Sequence, residues 1–250
     1  MAPDRKIALA AAIIGSGADE PDECDEMKPV AILFDLDDTL TDRRGSLRRC
    51  VPFFYERFPS GLGDVTPDAF FNMLCRVDDG GYRDRTEMFA EIIAGLTWRD
   101  APLPRVLADL WIAEFPRFAH PREGCVDTLA CLKAEGLRLG LVTNGINSMQ
   151  RSKIRCMGCE DYFEVVVTSE SARCFKPDPR IFQAALDALD VRADQTWFVG
   201  DHPINDMDGA RRAGMKSVWV DRAFPWPHGL PCADYQIHDL HELLPILFEP

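Results

Sequence analysis

No apolar run in the sequence approaches the roughly 20 residues that span a bilayer. The longest one near the start, residues 7–14, stops at eight, so no membrane anchor is expected. The nine cysteines are odd in number and scattered from Cys24 to Cys232, and a chain of 250 residues needs no disulfide staples to hold a core. A reduced, cytoplasmic setting is the simpler expectation. Basic residues are in deficit, 28 against 41 acidic ones, for a formal charge of −13. That field repels phosphate polymers and anionic lipid, which sets nucleic acid aside as a partner. It leaves a small phosphorylated ligand open, because a few local cations or one bound metal override a distant net charge. Internal repeats and low-complexity tracts are also missing. The 46% hydrophobic content suffices for a sizeable core, arranged as one large domain or a domain carrying a smaller insert.

Residues 1–27 differ from the remainder of the chain. They hold seven acids against Arg5 and Lys6, with no basic counter-charge in the block from Asp19 to Glu26. Arg5 and Lys6 before the apolar run, and Gly15 to Ala18 after it, give the outline of a secretory signal, but the like-charged block reads as a solvated extension. From Val30 the text becomes continuously apolar (Val30, Ala31, Ile32, Leu33, Phe34) and is cut off by Asp35, Leu36, Asp37, Asp38, Thr39. Five apolar residues without alternation suit a central parallel strand covered on both faces. The pattern returns at 137–142, 163–167 and 196–199, each time ending in small or polar residues, and weaker strands are expected at 217–220 and 235–237. Helical spacing occupies 126–135, 148–156, 179–189, 206–213 and 240–247. Strands alternating with helices predict an α/β fold, a doubly wound parallel sheet.

The interval between Leu40 and about Arg122 breaks this rhythm. It shows no convincing strand and reads as helices over 47–58, 67–76, 83–95 and 103–115, separated by proline and glycine clusters. The expected organisation is a sheet domain over 28–44 and 120–250, interrupted by an inserted helical cap over 45–119.

In a doubly wound sheet, ligands bind beyond the carboxyl ends of the strands. The strand ends deliver Asp35 and Asp37, then Thr143 and Asn144, then the segment leading to Lys176, then Asp201 with Asp206 close behind. Three or four carboxylates at one lip repel strongly unless a cation joins them. The donors are all oxygen and no cysteine or histidine cluster accompanies them, so the expected ion is Mg2+ with several retained waters.

These residues carry a resemblance. Asp35-Leu36-Asp37-Asp38-Thr39-Leu40 after an apolar strand resembles the first motif of the haloacid dehalogenase superfamily. Thr143-Asn144-Gly145 resembles the second, Lys176 followed by Pro177, Asp178 and Pro179 the third, and Gly200-Asp201 with Asp206 the fourth. Four motifs in order, each at a strand end or in the loop after one, make a specific signal over residues 30–220. The resemblance implies a Rossmann-like core with a helical cap and a Mg2+-dependent phosphatase acting on a small phosphorylated metabolite. Asp35 would be the nucleophile that forms an aspartyl phosphate, and Asp37 the acid and base. Thr143 and Asn144 would hold the transferring oxygens through hydroxyl and backbone N–H groups, and Lys176 would supply positive charge. Asp35, Asp201 and the backbone carbonyl of Asp37 would ligate the metal, with Asp206 behind them, orienting Lys176 or a metal-bound water. Relatives that cleave carbon–halogen bonds lack the acid at position 37, which disfavours dehalogenation. A phosphomutase and a catalytically silent binding protein of the same fold are the alternatives.

Simpler roles exist for each residue. Asp35 and Asp37 would stabilise a turn, Thr143 and Asn144 would cap a helix, as would Asp206, and Lys176 would be a solvated lysine. His202 reads as an ordinary loop histidine. Arg43, Arg44, Arg83 and Arg85 are each expected to be solvated, with one of the four as a candidate for meeting an anionic substrate. Cys156 and Cys159 form a CxxC with no second pair and no nearby histidine, and no redox or zinc role is expected of them.

Overall fold

Four apolar residues in succession can be sheltered only by cover on both faces of a sheet, and β1 (Ala31–Phe34) is wholly buried. In the computed structural model, which describes residues 28–222 and 224–248, five further strands join it: β2 (Arg138–Thr143), β3 (Val165–Thr168), β4 (Thr196–Gly200), β5 (Lys216–Val220) and β6 (Tyr235–Ile237). All neighbours pair in parallel, in the order β3-β2-β1-β4-β5-β6. The chain winds outward from β1 on one side and then returns to lay β4 on the other. The winding therefore reverses between β1 and β4 and opens a crevice at their carboxyl ends. The doubly wound parallel sheet expected from the sequence is what the chain forms, with each strand within two residues of its expected bounds. The expected extension over residues 1–27 lies outside the described residues.

Side-chain alternation splits the core into two layers. Ile32 and Phe34 point to the face that also buries Leu141, Val199 and Val218, while Ala31 and Leu33 point to the face of Val142 and Phe198. Between β1 and β2 lie α1 (Arg43–Arg57), α2 (Pro59–Leu62), α3 (Pro67–Asp78), α4 (Arg85–Ala94) and α5 (Pro104–Glu114), which bury a third apolar cluster of their own around Phe54, Phe70, Phe89 and Trp111. The sheet domain continues with α6 (Cys125–Ala134), α7 (Asn147–Cys156), α8 (Ser169–Ala172), α9 (Pro179–Leu189), α10 (Gly209–Arg212) and α11 (Leu243–Phe248). No helix among the described residues is long and apolar enough to cross a membrane.

Three local differences from the expected helices bear on the site. The first helix begins at Arg43 rather than 47, because the Asp42 side chain accepts a hydrogen bond from the Gly45 N–H at 2.9 Å and caps it four residues early. Arg43 is thereby placed in the first turn, beside the β1 loop. The fourth begins at Arg85, capped by Asp84, which accepts from the Thr86 and Glu87 N–H groups. The segment expected as a helix from 206 opens instead with a π-helical turn, Pro203–Asp208, whose first N–H groups are accepted by the His202 ring. The two chain crossings into and out of the helical insertion run side by side, with Asp42 N–H donating to the His120 carbonyl and Arg122 N–H to that of Leu40, both at 2.9 Å.

Candidate active site

The crevice between β1 and β4 holds the first cluster of charges. Asp35 follows β1 directly, its N–H donating to the Val199 carbonyl of β4 at 2.9 Å. Asp201 follows β4, and its carbonyl accepts from the Trp219 indole at 2.9 Å. The π-helical turn brings Asp206 back towards both strand ends. One carboxylate oxygen from each of Asp35, Asp201 and Asp206 lies within 4.8 Å of the others, and all three residues are buried. Gly200 makes this approach possible: a Cβ there would stand 2.5 Å from an Asp206 carboxylate oxygen.

One cation contacts two of the three acids. Lys176 Nζ, buried, donates to Asp35 Oδ1 at 2.6 Å and stands 2.7 Å from Asp206 Oδ1. The Thr39 hydroxyl donates to Asp35 Oδ2 at 3.2 Å. Asp201 Oδ2 is buried and accepts no hydrogen bond among the described residues. Burial, partly countered by Lys176, pushes Asp35 up to about 7, with repulsion from Asp206 adding to the rise. Burial and repulsion from Asp206 and Asp35 hold Asp201 well above the usual carboxylate range. Burial works against the Lys176 charge, but Asp206 and Asp35 outweigh it and hold the ammonium above its ordinary value. Three carboxylates facing one ammonium, with an unpartnered buried oxygen among them, form an all-oxygen donor set deficient in positive charge. Such a set fits a hard divalent cation of the Mg2+ type.

Asp37 lies apart from this cluster and is held from the other side. Its carboxylate accepts from Lys153 Nζ at 2.6 and 2.8 Å, from Gln150 Nε2 at 3.1 Å and from Arg43 Nη1 at 3.4 Å. Burial alone would raise its pKa, but Lys153 and Arg43 prevail and keep it well below the usual range. Gln150 Nε2 also donates to the Thr143 hydroxyl at 2.8 Å. The Asn144 side chain is used for construction: Oδ1 accepts from Lys176 N–H at 2.9 Å and Nδ2 donates to the Lys176 carbonyl at 3.2 Å. This clamp fixes the loop that carries Lys176.

The structure thus gathers Asp35, Lys176, Asp201 and Asp206 in one cluster, with Asp37, Thr143 and Asn144 around the same cavity. Sequence reading missed Thr39, Gln150 and Lys153. The last two lie three residues apart on α7, whose buried residues are Gln150, Lys153 and Ile154, and a polar pair at that spacing is one that periodicity assigns to solvent. Arg43 and Arg85 were expected in solvent, and this is corrected: Arg43 is buried, Arg85 is largely so, and both line the cavity. Arg44 and Arg83 are outside it, resting over the Phe71 ring and against Glu91. The His202 ring caps the π-helical turn and packs 4.4 Å from Phe224. Cys156 and Cys159 are both free, the first exposed and the second buried.

Comparison with known proteins agrees with this geometry. The sequence model of the family described as haloacid dehalogenase-like hydrolase matches residues 32–220. The chain is 33% identical to a glyceraldehyde 3-phosphate phosphatase of Pyrococcus furiosus over 86% of its own length and 92% of that protein's. It is 39% identical to a phosphoserine phosphatase of Thermus thermophilus, in a match that spans under half of either chain, 46% of each. Among solved structures, a haloacid dehalogenase-type phosphatase from Thermococcus onnurineus superposes with a TM-score of 0.62 at 30% identity, covering 89% of this chain and 98% of that one.

Proposed function

This chain belongs to the haloacid dehalogenase-like hydrolases and is a phosphatase of that family, and we propose that it hydrolyses a small phosphate monoester with Mg2+ through an aspartyl phosphate on Asp35. The observation that carries this reading is the cluster of three buried carboxylates around a single lysine, with Asp201 Oδ2 left without a partner. The carboxylates of Asp35 and Asp201, with the backbone carbonyl of Asp37, would hold the ion, and Asp206 would act through Lys176. Bound there, Mg2+ offsets the excess negative charge and draws charge from the phosphoryl oxygens.

Asp35 attacks phosphorus and the bond to the leaving oxygen breaks, while Asp37 gives that oxygen its proton. Water then attacks the aspartyl phosphate, passing a proton to Asp37, and Asp35 and inorganic phosphate are released. Lys153 and Arg43 hold Asp37 ionised and aimed at the cavity until the phosphoryl group arrives. The negative charge of that group then raises its proton affinity, and Asp37 takes up from water the proton that it passes to the leaving oxygen. Lys176 fixes Asp35 and offsets charge on the phosphoryl oxygens, which the Thr143 hydroxyl and the Asn144 N–H also meet.

Residues 45–119 would act as a helical cap on the core formed by 28–44 and 120–250. In support, the insertion touches the core beside the site, where Tyr82 Oη accepts from Asn205 Nδ2 at 3.0 Å and the Tyr82 ring meets His202 edge-on. A cap at that place excludes water and selects substrate. The eight described cysteines are all free, in keeping with a cytoplasmic setting. The test is release of phosphate from p-nitrophenyl phosphate with Mg2+. Turnover by the wild type and its loss in Asp35→Asn are expected; no turnover, or equal turnover by the variant, would favour a silent binding protein.

A further inference from the structure

The wall of the cavity contributed by the helical insertion has its own charge imbalance, opposite in sign to that of the metal cluster. Asp78, at the end of α3 and 2% exposed, accepts from Arg43 Nε and Nη2 at 2.7 and 2.6 Å and from Arg85 Nη1 at 2.9 Å. Each guanidinium rests over an aromatic ring, Arg43 over Phe115 at 5.5 Å and Arg85 over Trp111 at 5.7 Å. The charges nearby cancel in pairs, Lys153 with Asp37 and Arg122 with Asp38. Arg43 also reaches Asp37 at 3.4 Å, so three sequestered cations, Arg43, Arg85 and Lys153, share the two carboxylates of Asp78 and Asp37.

The surplus is Arg85. Arg43 already has a bidentate partner in Asp78, so a second guanidinium adds nothing to that geometry. Arg85 gives Nη1 to Asp78 and Nη2 to the Gly81 carbonyl, and its Nε–H donates to nothing among the described residues. It also begins α4, where the helix dipole disfavours a cation. Burial and repulsion from Arg43 draw its pKa below the ordinary arginine value in spite of Asp78. A sheltered cation in this position is costly unless an anion joins it. The cavity it lines is the one lined by Asp35 and Lys176, with a volume of about 190 Å³. That is room for a phosphoryl group and a few further atoms. The phosphoryl end has its own cations in Lys176 and the ion site.

We propose, on the phosphatase reading above, that Arg85 determines specificity by binding a carboxylate on the leaving group, so that the substrates are phosphate monoesters of small hydroxy acids rather than of neutral alcohols or aldehydes. The relatives divide on this chemistry, since phosphoserine carries a carboxylate and glyceraldehyde 3-phosphate does not.

The experiment uses two probe pairs that differ chiefly in the carboxylate: phosphoserine with phosphoethanolamine, and 3-phosphoglycerate with glycerol 3-phosphate. For the wild type with Mg2+, kcat/KM should favour the carboxylated member by about tenfold or more in at least one pair, the scale of one charge-assisted hydrogen bond. Arg85→Gln should collapse that ratio, mainly through KM, and Arg85→Lys should restore part of it. A wild-type ratio near one or below in both pairs overturns the proposal, as does a ratio that survives Arg85→Gln. Failure of the wild type to hydrolyse p-nitrophenyl phosphate would instead refute the phosphatase reading on which it rests.

Discussion

Replacing Asp201 with Asn should make the metal-free protein more stable. The carboxylate lies within 4.8 Å of those of Asp35 and Asp206, and two unit charges at that distance repel by about 3.5 kcal/mol at an effective dielectric near 20. Where all three are ionised, two such pairs, offset by an attraction of about 4 kcal/mol to Lys176, leave a relief of about 3 kcal/mol. Little is lost in exchange, because Oδ2 has no hydrogen bond and Oδ1 has only a 3.4 Å contact from the Thr39 hydroxyl. For a chain of this size the gain corresponds to a Tm higher by about 5–10 °C. The sign carries over to pH. Asp35 is raised to about 7 and Asp201 is raised as well, so between roughly pH 4 and pH 7 the folded state holds more protons than the unfolded chain. Stability of the metal-free wild type therefore falls as pH rises through that window, and Asp201→Asn should flatten the fall. Mg2+ at a thousandfold excess over Kd should reverse the ranking, since the wild type then gains about 4.1 kcal/mol while the variant, missing a ligand, gains far less. Thermal scans in EDTA and in MgCl2 across this pH range measure all three effects. A lower Tm for Asp201→Asn in EDTA, or an equal Mg2+ shift in both proteins, would refute the reasoning.

Two further substitutions probe the packing that aims the site. Lys153→Met removes the main partner of Asp37, where the two side chains are 3% and 22% exposed. It should cost about 3 kcal/mol, the low end for a broken buried pair because Arg43 and Gln150 remain, read as a lower urea midpoint at constant m; an unchanged midpoint would count against the pair. Gly200→Ala puts a methyl 2.5 Å from an Asp206 carboxylate oxygen and should cost about 1–3 kcal/mol together with most of the turnover, whereas wild-type turnover in the variant would show that Asp206 need not stand where it does.

Asp35, Thr143, Asn144 and Asp201 were legible in the sequence because each ends a strand or opens the loop after it. Asp35 and Asp201 are announced by the apolar runs before them, and parallel pairing of adjacent strands brings their carboxylates together without any knowledge of helix faces. The other half was illegible for two physical reasons. Lys153 and Gln150 reach the cavity only because α7 turns a polar stripe inward, and periodicity assigns such a stripe to solvent. Arg43 depended on a cap: with the helix started at 47 it was a loop residue, and only the Asp42 hydrogen bond to Gly45 places it in the first turn, within reach of Asp37 and Asp78. Contacts such as Asn205 to Tyr82, 123 positions apart, depend on how the insertion docks, and no local pattern encodes that.

The two ends of the cavity are charged in opposite senses, and the fold prevents them from neutralising each other. At the strand ends three carboxylates face Lys176; at the wall from the insertion two guanidiniums face Asp78. Arg85 is anchored to Asp78 and the Gly81 carbonyl, and Asp201 is anchored to Trp219 through its own carbonyl. Asp37 and Lys153, already paired, line the same cavity. Each imbalance is destabilising by itself, and it is tolerated because three apolar clusters hold the elements in place. A ligand that brings a divalent cation to one end and an anionic group to the other relieves both together. A ligand with only a phosphoryl group relieves one. The charge layout therefore rewards a substrate with negative groups at both ends over one with a neutral tail, and it does so through terms present in the protein before substrate arrives.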